Sequence, residues 1–468
     1  MAEAERVGQA TATIEAALSA RMDAIIETLE AFVRIQSVST DSAYAAGIVE
    51  GARFVADQLL RAGIKDATIH QTAGHPIVTG SWRAAPGKPT LLIYGHYDVQ
   101  PPDPLAAWTT PPFEPAIRDG RLYGRGASDD KGPMLIPIEV VATYLAVRGA
   151  LPINVVFLFE GEEENSSANL EGFVAAHKSL LAADITVSAD GAQWRADLPS
   201  VITGSRGICS LEIFVAGPAK DLHSGRHGGS VANPIQALVS VLARLHAPDG
   251  SIAVPGFYDR VRPVSSRERQ AIARIPFDEQ AYLASVGTPE GVGEAGYSLL
   301  ERNWLRPTLE YNGIIGGYTG PGRKTVIPSG ASAKVTCRLV PDQDPEEIAA
   351  LVAKQVRAFA PKGVKLEVRT GPGGSRAYAV PEGNSALTLT ERILGEVTGA
   401  VPARVRMGAT IPIGDVFRRM LGIETVFFSF STSDEDYHAP NEFFRLQSLE
   451  RGLKAWVRLM QAMGGGGA

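Results

Sequence analysis

Cysteine is almost missing: there are two in 468 residues, Cys209 and Cys337. They fit no metal-binding spacing and give at most one disulfide, which points to a reducing, cytoplasmic setting. No run of about 18 apolar residues occurs, so no membrane-spanning helix is expected. Net positive charge is also missing. The formal balance is −6, which leaves no basic field to attract nucleic acid. The opening stretch, MAEAERVGQATATIEAALSA, has no basic segment followed by an apolar one, so no secretory signal is expected. No internal repeat stands out, and the glycine-rich tail, 464–468, is expected to be disordered. What is present is a 45% hydrophobic composition, enough for a large core shared by two or more domains.

Apolar positions at helical spacing predict a helix over residues 12–34 and a second from Ala45 to Ala62, stopped by Gly63. TLLIY, Thr90–Tyr94, reads as a short strand delivering His96 and Asp98, two apart and so on one side of an extended segment. A glycine-rich turn then carries Asp129 and Asp130 ahead of a helix over Pro133–Arg148. Asn154–Phe159 reads as a buried strand that runs into Glu160, Gly161, Glu162, Glu163 and Glu164. Like charges at a strand end repel unless something positive sits among them. An isolated run of this kind is equally a solvated turn. Here three other segments put His or Asp at the end of an apolar run: His96, Asp190 after ITVSA, and His438 after the strand ETVFFSF.

Composition changes near Gly204. GICSLEIFVAG and ASAKVTCRLVP alternate cleanly, LEYNGIIGG and VKLEVRT read as further strands, and ANPIQALVSVLARLHA reads as a helix. Asp344, Pro345 and Glu347 supply an N-cap, an N1 proline and a capping-box acid for a helix to Phe359. Strand, helix, strand, strand, helix, strand is a split βαβ order, predicting a smaller inserted α+β domain over 205–381. Residues 247–305 form an irregular and helical excursion within it. The domains expected are thus 1–204 and 382–468 as two parts of one α/β unit around the insertion. GYTGPGRKT imitates a phosphate loop, but Arg323 separates the lysine from the last glycine and no helix pattern follows, so nucleotide binding is rejected.

The candidates for chemistry are His96, Asp129, Glu163, Glu164, Asp190 and His438. Five of them, two imidazoles and three carboxylates without thiolate, suit two borderline cations: zinc, manganese or cobalt. Of the doubled acid Glu163 and Glu164, one can bind metal while the other faces the substrate.

HYDVQP, GRGASDDKGP, EGEEEN, SAD, DLHSG, KTVIP, CRLVP and HAPNE together resemble the co-catalytic di-metal metallopeptidase family of carnosinase, cytosolic non-specific dipeptidase, aminoacylase and carboxypeptidase G. The match runs from about residue 30 to 460, and VPGFYD with GPGRKTVIP is similar to the dipeptidase and carnosinase branch. The resemblance implies a zinc-peptidase-like three-layer α/β/α catalytic domain with a ferredoxin-like lid and dimerisation domain. It implies that His96 and Asp190 bind one metal, that Glu164 and His438 bind the other, and that Asp129 bridges them with a cis bond to Asp130. Glu163 would be the general base, and Asp98 would orient His96. His223 would reach the active site of a neighbouring subunit and stabilise the oxyanion. Arg338 would grip the substrate carboxylate, with Thr325 and Thr410 as polar contacts, although Thr410 stands where relatives often have serine. The expected activity is hydrolysis of dipeptides with a free C-terminal carboxylate by a cytoplasmic homodimer. The rival activities are N-acyl- or N-carbamoyl-amino-acid amidohydrolysis on the same site, and an inert dimeric scaffold. His70, His75, His177, His227 and His246 match no motif and are taken as surface or core.

Overall fold

The computed structural model describes residues 2–371 and 374–465. The chain has a mixed α/β fold and divides into two compact units: Met1–Thr203 with Val380–Val405 and Val416–Ala468, and Gly204–Ala379 with Arg406–Asp415. Segment 406–415, expected with the first unit, thus packs with the second. No local pattern announces such a return of the chain.

In the first unit the apolar runs become the central strands. Thr90–His96 lies parallel to both Asn154–Glu160 and Ile185–Ser188, and the first two are buried along almost their whole length. Strands covered on both faces need no polar alternate positions, hence their unbroken apolar sequences. From one edge, the sheet runs Thr68–His70, Ile77–Trp82, Asn154–Glu160, Thr90–His96, Ile185–Ser188, Thr425–Phe427, Ser200–Ser205. Of the expected strand ETVFFSF, only Thr425–Phe427 joins the sheet.

Helix Ala45–Arg61 packs on strand Ile77–Trp82, and Gly132–Arg148 packs on Thr90–His96. The single helix expected over 12–34 is two, Ala2–Ala20 and Met22–Val33, parted at Arg21, whose guanidinium reaches Glu139 at 3.0 Å and Thr143 at 2.9 Å. The long helix Leu446–Gly464, not anticipated from the sequence, buries Leu453, Trp456 and Met460. Each such side chain contributes about 1.5–3 kcal/mol on leaving water. Gly464, expected in the disordered tail, closes this helix and accepts from Lys88 Nζ at 2.5 Å, while 466–468 lie outside the described residues. A small sheet completes the unit. Ala116–Arg118 and Arg121–Tyr123 form a hairpin whose turn residues Asp119 and Gly120 both have positive φ, and Phe443–Arg445 pairs with its second strand.

The second unit has a four-stranded antiparallel sheet in the order Thr308–Gly316, Gly330–Leu339, Gly207–Ala216, Lys365–Thr370. Alternation puts Cys209, Leu211, Ile213 and Val215 on the buried face, with Cys337, Val335, Ala333 and Ala331 opposite them. Helices Pro234–Leu242 and Pro345–Ala358 cover that face. Asn233 and Asp344 cap them as Asx residues before an N1 proline, each cap being worth about 1 kcal/mol. Glu347, expected to complete a capping box, pairs with Arg260 at 3.0 Å instead. Cys209 and Cys337, remote in sequence, stand directly opposite each other on adjacent strands as free thiols.

Candidate active site

Three parallel strands end at one edge of the first unit's sheet, and each delivers a ligand-type side chain. His96 is the last residue of its strand and lies in register with Glu160, while Asp190 stands two residues beyond Ser188. The carboxyl ends of such strands are where open α/β sheets present their ligand sites. Asp129 arrives from the glycine-rich turn, extended (φ −127°, ψ 93°) within a helical segment and joined to Asp130 by a cis peptide bond. His438 arrives from a loop in which it, Asp436 and Asn441 have positive φ.

These groups form two clusters that share Asp129. His96 Nε2 lies 3.1 Å from Asp129 Oδ1 and 4.0 Å from Asp190 Oδ1. His438 Nε2 lies 2.9 Å from Asp129 Oδ2 and 3.1 Å from Glu164 Oε2. In each of the two groups, His96–Asp129–Asp190 and Asp129–Glu164–His438, one donor atom per residue falls within 4.8 Å of the others. Asp98 backs His96 in two ways. Its backbone oxygen lies 3.0 Å from Nδ1 and its carboxylate 3.4 Å, and the same carboxylate accepts the N–H groups of Glu163 and Glu164 at 3.2 and 3.0 Å.

The acid block divides by task. Glu160, fully buried, accepts from Tyr94 at 2.5 Å and Ser167 at 3.0 Å, and Glu162 accepts from the backbone of His75 and from Asn169. Both are structural. Glu164 faces His438 and takes a hydrogen bond from Gln100 at 2.8 Å. The Glu163 carboxylate has no hydrogen bond or ion pair among the described residues.

The electrostatics follow from crowding acids in a buried place. Burial, then Asp190, Glu164 and Asp129 against an opposing pull from His96, drives the Glu163 carboxyl well above the ordinary range. Burial raises Glu164 to about 7 and Asp190 to about 6. Burial works against ionising Asp129, but hydrogen bonds from His438 and His96 overcome it and lower its pKa. His438 is raised to about 10, because Asp129 and Glu164 outweigh the effect of its burial. A cluster that holds protons this tightly is short of positive charge, and an oxygen- and nitrogen-rich donor set of this kind fits divalent cations.

Two positioning groups were missed from sequence. The fully buried Glu442 accepts from the N–H groups of Gly126 (2.8 Å), Ser128 (2.9 Å) and Asp129 (3.1 Å) and from Arg125 at 2.7 Å. It clamps the turn that presents Asp129. Glu435, raised to about 7 by burial, accepts from the Ser128 hydroxyl at 2.6 Å. The final acid of HAPNE was the available signal for Glu442.

The remaining predicted residues lie in the second unit. His223 is exposed and its Nδ1 accepts the Gly225 N–H at 3.1 Å, so in the neutral ring Nε2 carries the proton. Exposed Thr325 offers its carbonyl to the Ser224 N–H at 3.0 Å. Arg338 donates to the Thr410 hydroxyl at 2.8 Å. His70, His75, His177 and His246 make local hydrogen bonds, and among the described residues none of the unmatched histidines joins a ligand cluster.

Carboxylates and imidazoles gathered at the strand ends of an α/β sheet define a metallohydrolase. Residues 92–462 match the sequence profile of peptidase family M20/M25/M40, and the chain belongs to that family. It is 32% identical over 449 residues to the Cys-Gly metallodipeptidase DUG1 of Candida albicans, covering 92% of each chain. It is 32% identical over 387 residues to the Beta-Ala-His dipeptidase of Rattus norvegicus, covering 82% of this chain and 78% of that one. The solved structure of the dipeptidase Dug1p from Saccharomyces cerevisiae superposes with a TM-score of 0.84 at 27% identity, covering 97% of this chain and 98% of that one.

Proposed function

We propose that this protein is a di-metal dipeptidase that hydrolyses dipeptides carrying a free C-terminal carboxylate. The observation that carries the reading is the shared Asp129, with one oxygen toward His96 and the other toward His438. His96 and Asp190 would hold one divalent ion, Glu164 and His438 the other, and Asp129 both. Zinc suits the donors best, and manganese or cobalt suits them as well. Bound there, the ions would supply Lewis-acid polarisation of the scissile carbonyl and acidify water. The chain's own residues do the rest. Glu163, whose carboxylate has no partner among the described residues, takes a proton from the attacking water and passes it to the leaving amine. Asp98 sets the His96 ring and the two acids beside it. His223, its tautomer set by Gly225, offers an Nε2–H to the oxyanion in the site of a second subunit. Arg338, braced by Thr410, receives the substrate carboxylate, and Thr325 adds a polar contact.

The substrate class is supported by the names of the two relatives, both dipeptidases. A reducing, cytoplasmic setting is supported by the facing free thiols of Cys209 and Cys337; no helix is long and apolar enough to cross a membrane among the described residues. The test is a panel of dipeptides against N-acyl and N-carbamoyl amino acids, before and after chelation. Dipeptides should be cleaved fastest, chelation should abolish the activity, and zinc, manganese or cobalt should restore it. Preferential cleavage of N-acyl amino acids would make the amidohydrolase the correct reading. Full activity without stoichiometric metal would remove the di-metal site.

A further inference from the structure

Arg206 is a buried guanidinium without an acid. It is 9% exposed, and its partners are two backbone carbonyls, Gly408 O at 2.7 Å from Nε and Arg306 O at 3.3 Å from an Nη. Buried arginines elsewhere in the chain are neutralised: Arg125 by Glu442 at 2.7 Å, and Arg306 by Glu294 through two bonds of 2.6 and 2.8 Å. Among the described residues, neither Arg206 nor Arg338 has a carboxylate partner.

The two stand close together by construction of the sheet. Arg338 lies opposite Ile208 in the register of strands Gly330–Leu339 and Gly207–Ala216. Ile208 points away from the face that buries Cys209, Leu211 and Ile213, and so does its partner Arg338. Arg206 is two residues before Ile208. The chain between them is clamped, since a Cβ on Gly207 would come within 2.4 Å of Ser375 O. Thr410 completes the group: its hydroxyl accepts from Arg338 at 2.8 Å and keeps its own proton to give. The free capacity of both guanidinium groups is donor only, and the Thr410 hydroxyl adds a proton of its own. Two guanidinium groups that repel each other, one buried and the other half-buried, with no acid paired to either, form a seat for an anion. Burial, and then the charge of Arg338, lower the Arg206 pKa to about 10, in keeping with that unrelieved charge; Glu310 pulls the other way but makes no ion pair with it.

We infer that Arg206 is a specificity-determining residue: its charge, added to that of Arg338, makes the seat select substrates with a free C-terminal carboxylate. The seat takes one carboxylate oxygen on Arg338 and Thr410, while Arg206 supplies field from behind and ties down Gly408, two residues before Thr410. Arg206 is therefore a positioning residue that acts through Arg338. The inference rests on the dipeptidase reading and extends it to a residue that no motif of the family had singled out here.

The test compares kcat/KM for alanylleucine and for its C-terminal amide in wild type, Arg206→Gln and Arg206→Lys, each loaded with metal. Wild type should prefer the acid strongly. Arg206→Gln should shrink the acid-to-amide ratio about ten- to hundredfold through the KM of the acid, as expected for loss of a charge-assisted interaction. Arg206→Lys, which keeps the charge and loses the forked tie to Gly408 and Arg306, should retain most of the preference. A wild-type ratio in Arg206→Gln overturns the inference. So does an equal loss of acid and amide hydrolysis in both variants, the signature of a purely structural anchor. A wild type that cleaves neither substrate overturns the dipeptidase reading itself, an outcome distinct from both.

Discussion

Glu163 and Glu164 share a turn, a burial and a backbone anchor on Asp98, yet only one of them is engaged. Glu164 faces His438 at 3.1 Å and accepts from Gln100 at 2.8 Å, whereas the Glu163 carboxylate has no partner among the described residues. That asymmetry sets an experiment. Glu163→Gln keeps shape and leaves the ligand set alone, so metal content should stay at the wild-type level while turnover falls about 10²–10⁴-fold, the usual worth of general acid–base help. Glu164→Gln should instead lose metal, because a neutral amide is a poorer ligand than a carboxylate for a divalent cation, and excess metal should restore part of its activity. Elemental analysis with metal titration of both variants distinguishes them, and reversed behaviour would exchange the two roles. Sequence pattern alone reached the doubled acid but not its division. It marked His96, Asp129, Asp190 and His438 because each stands at the end of an apolar run or in a glycine-rich turn. It could not mark Gln100, whose contribution is to donate to the carboxylate and the backbone oxygen of Glu164, 64 residues away.

At the scale of elements, what was legible is what local chemistry dictates. The continuous apolar strands, the alternating strands Gly207–Ala216 and Gly330–Leu339, and the Asx–Pro helix start at Asp344 all formed. The break at Arg21, the partner of Glu347 and the docking of Phe443–Arg445 onto a hairpin more than 300 residues earlier depend on distant contacts, and no local period records them. That docking places Glu442 beneath the turn 126–129. Its four acceptor contacts fix the backbone that presents Asp129, and they neutralise the buried Arg125. Glu442→Gln would turn an amide donor toward N–H groups and leave Arg125 unpaired. Breaking a buried pair of this kind costs about 3–5 kcal/mol. Denaturant unfolding should show a loss of that order, and calorimetric titration should show weaker metal binding, with Asp129 itself intact. Wild-type stability and metal affinity in this variant would mean that the turn holds its shape without the clamp.

Over the whole molecule, the second unit carries a complete split βαβ pattern in its sequence, while segment 406–415, which belongs to it too, carries no local signature of that return. That second unit has an open edge. Among the described residues strand Thr308–Gly316 pairs on one side only, and Ile314 and Ile315 on it are 54% and 61% exposed, with Tyr318 beyond them at 46%. Soluble proteins seldom leave an apolar strand edge uncovered, and a two-fold partner is the commonest cover. The homodimer proposed here also gives the exposed His223 its task, donating to an oxyanion in the opposite subunit. Mixing two dead variants tests both claims. His223→Ala and Glu163→Gln homodimers should each be nearly inactive. In a mixed dimer the subunit with intact Glu163 faces a partner with intact His223, so one site of two works. With random exchange half of the dimers are mixed, and the pool should recover about a quarter of wild-type activity. If His223 served its own subunit, every site in the mixture would lack one group or the other and nothing would be recovered. A fully active monomer at assay concentration, seen by light scattering, would remove the dimer altogether.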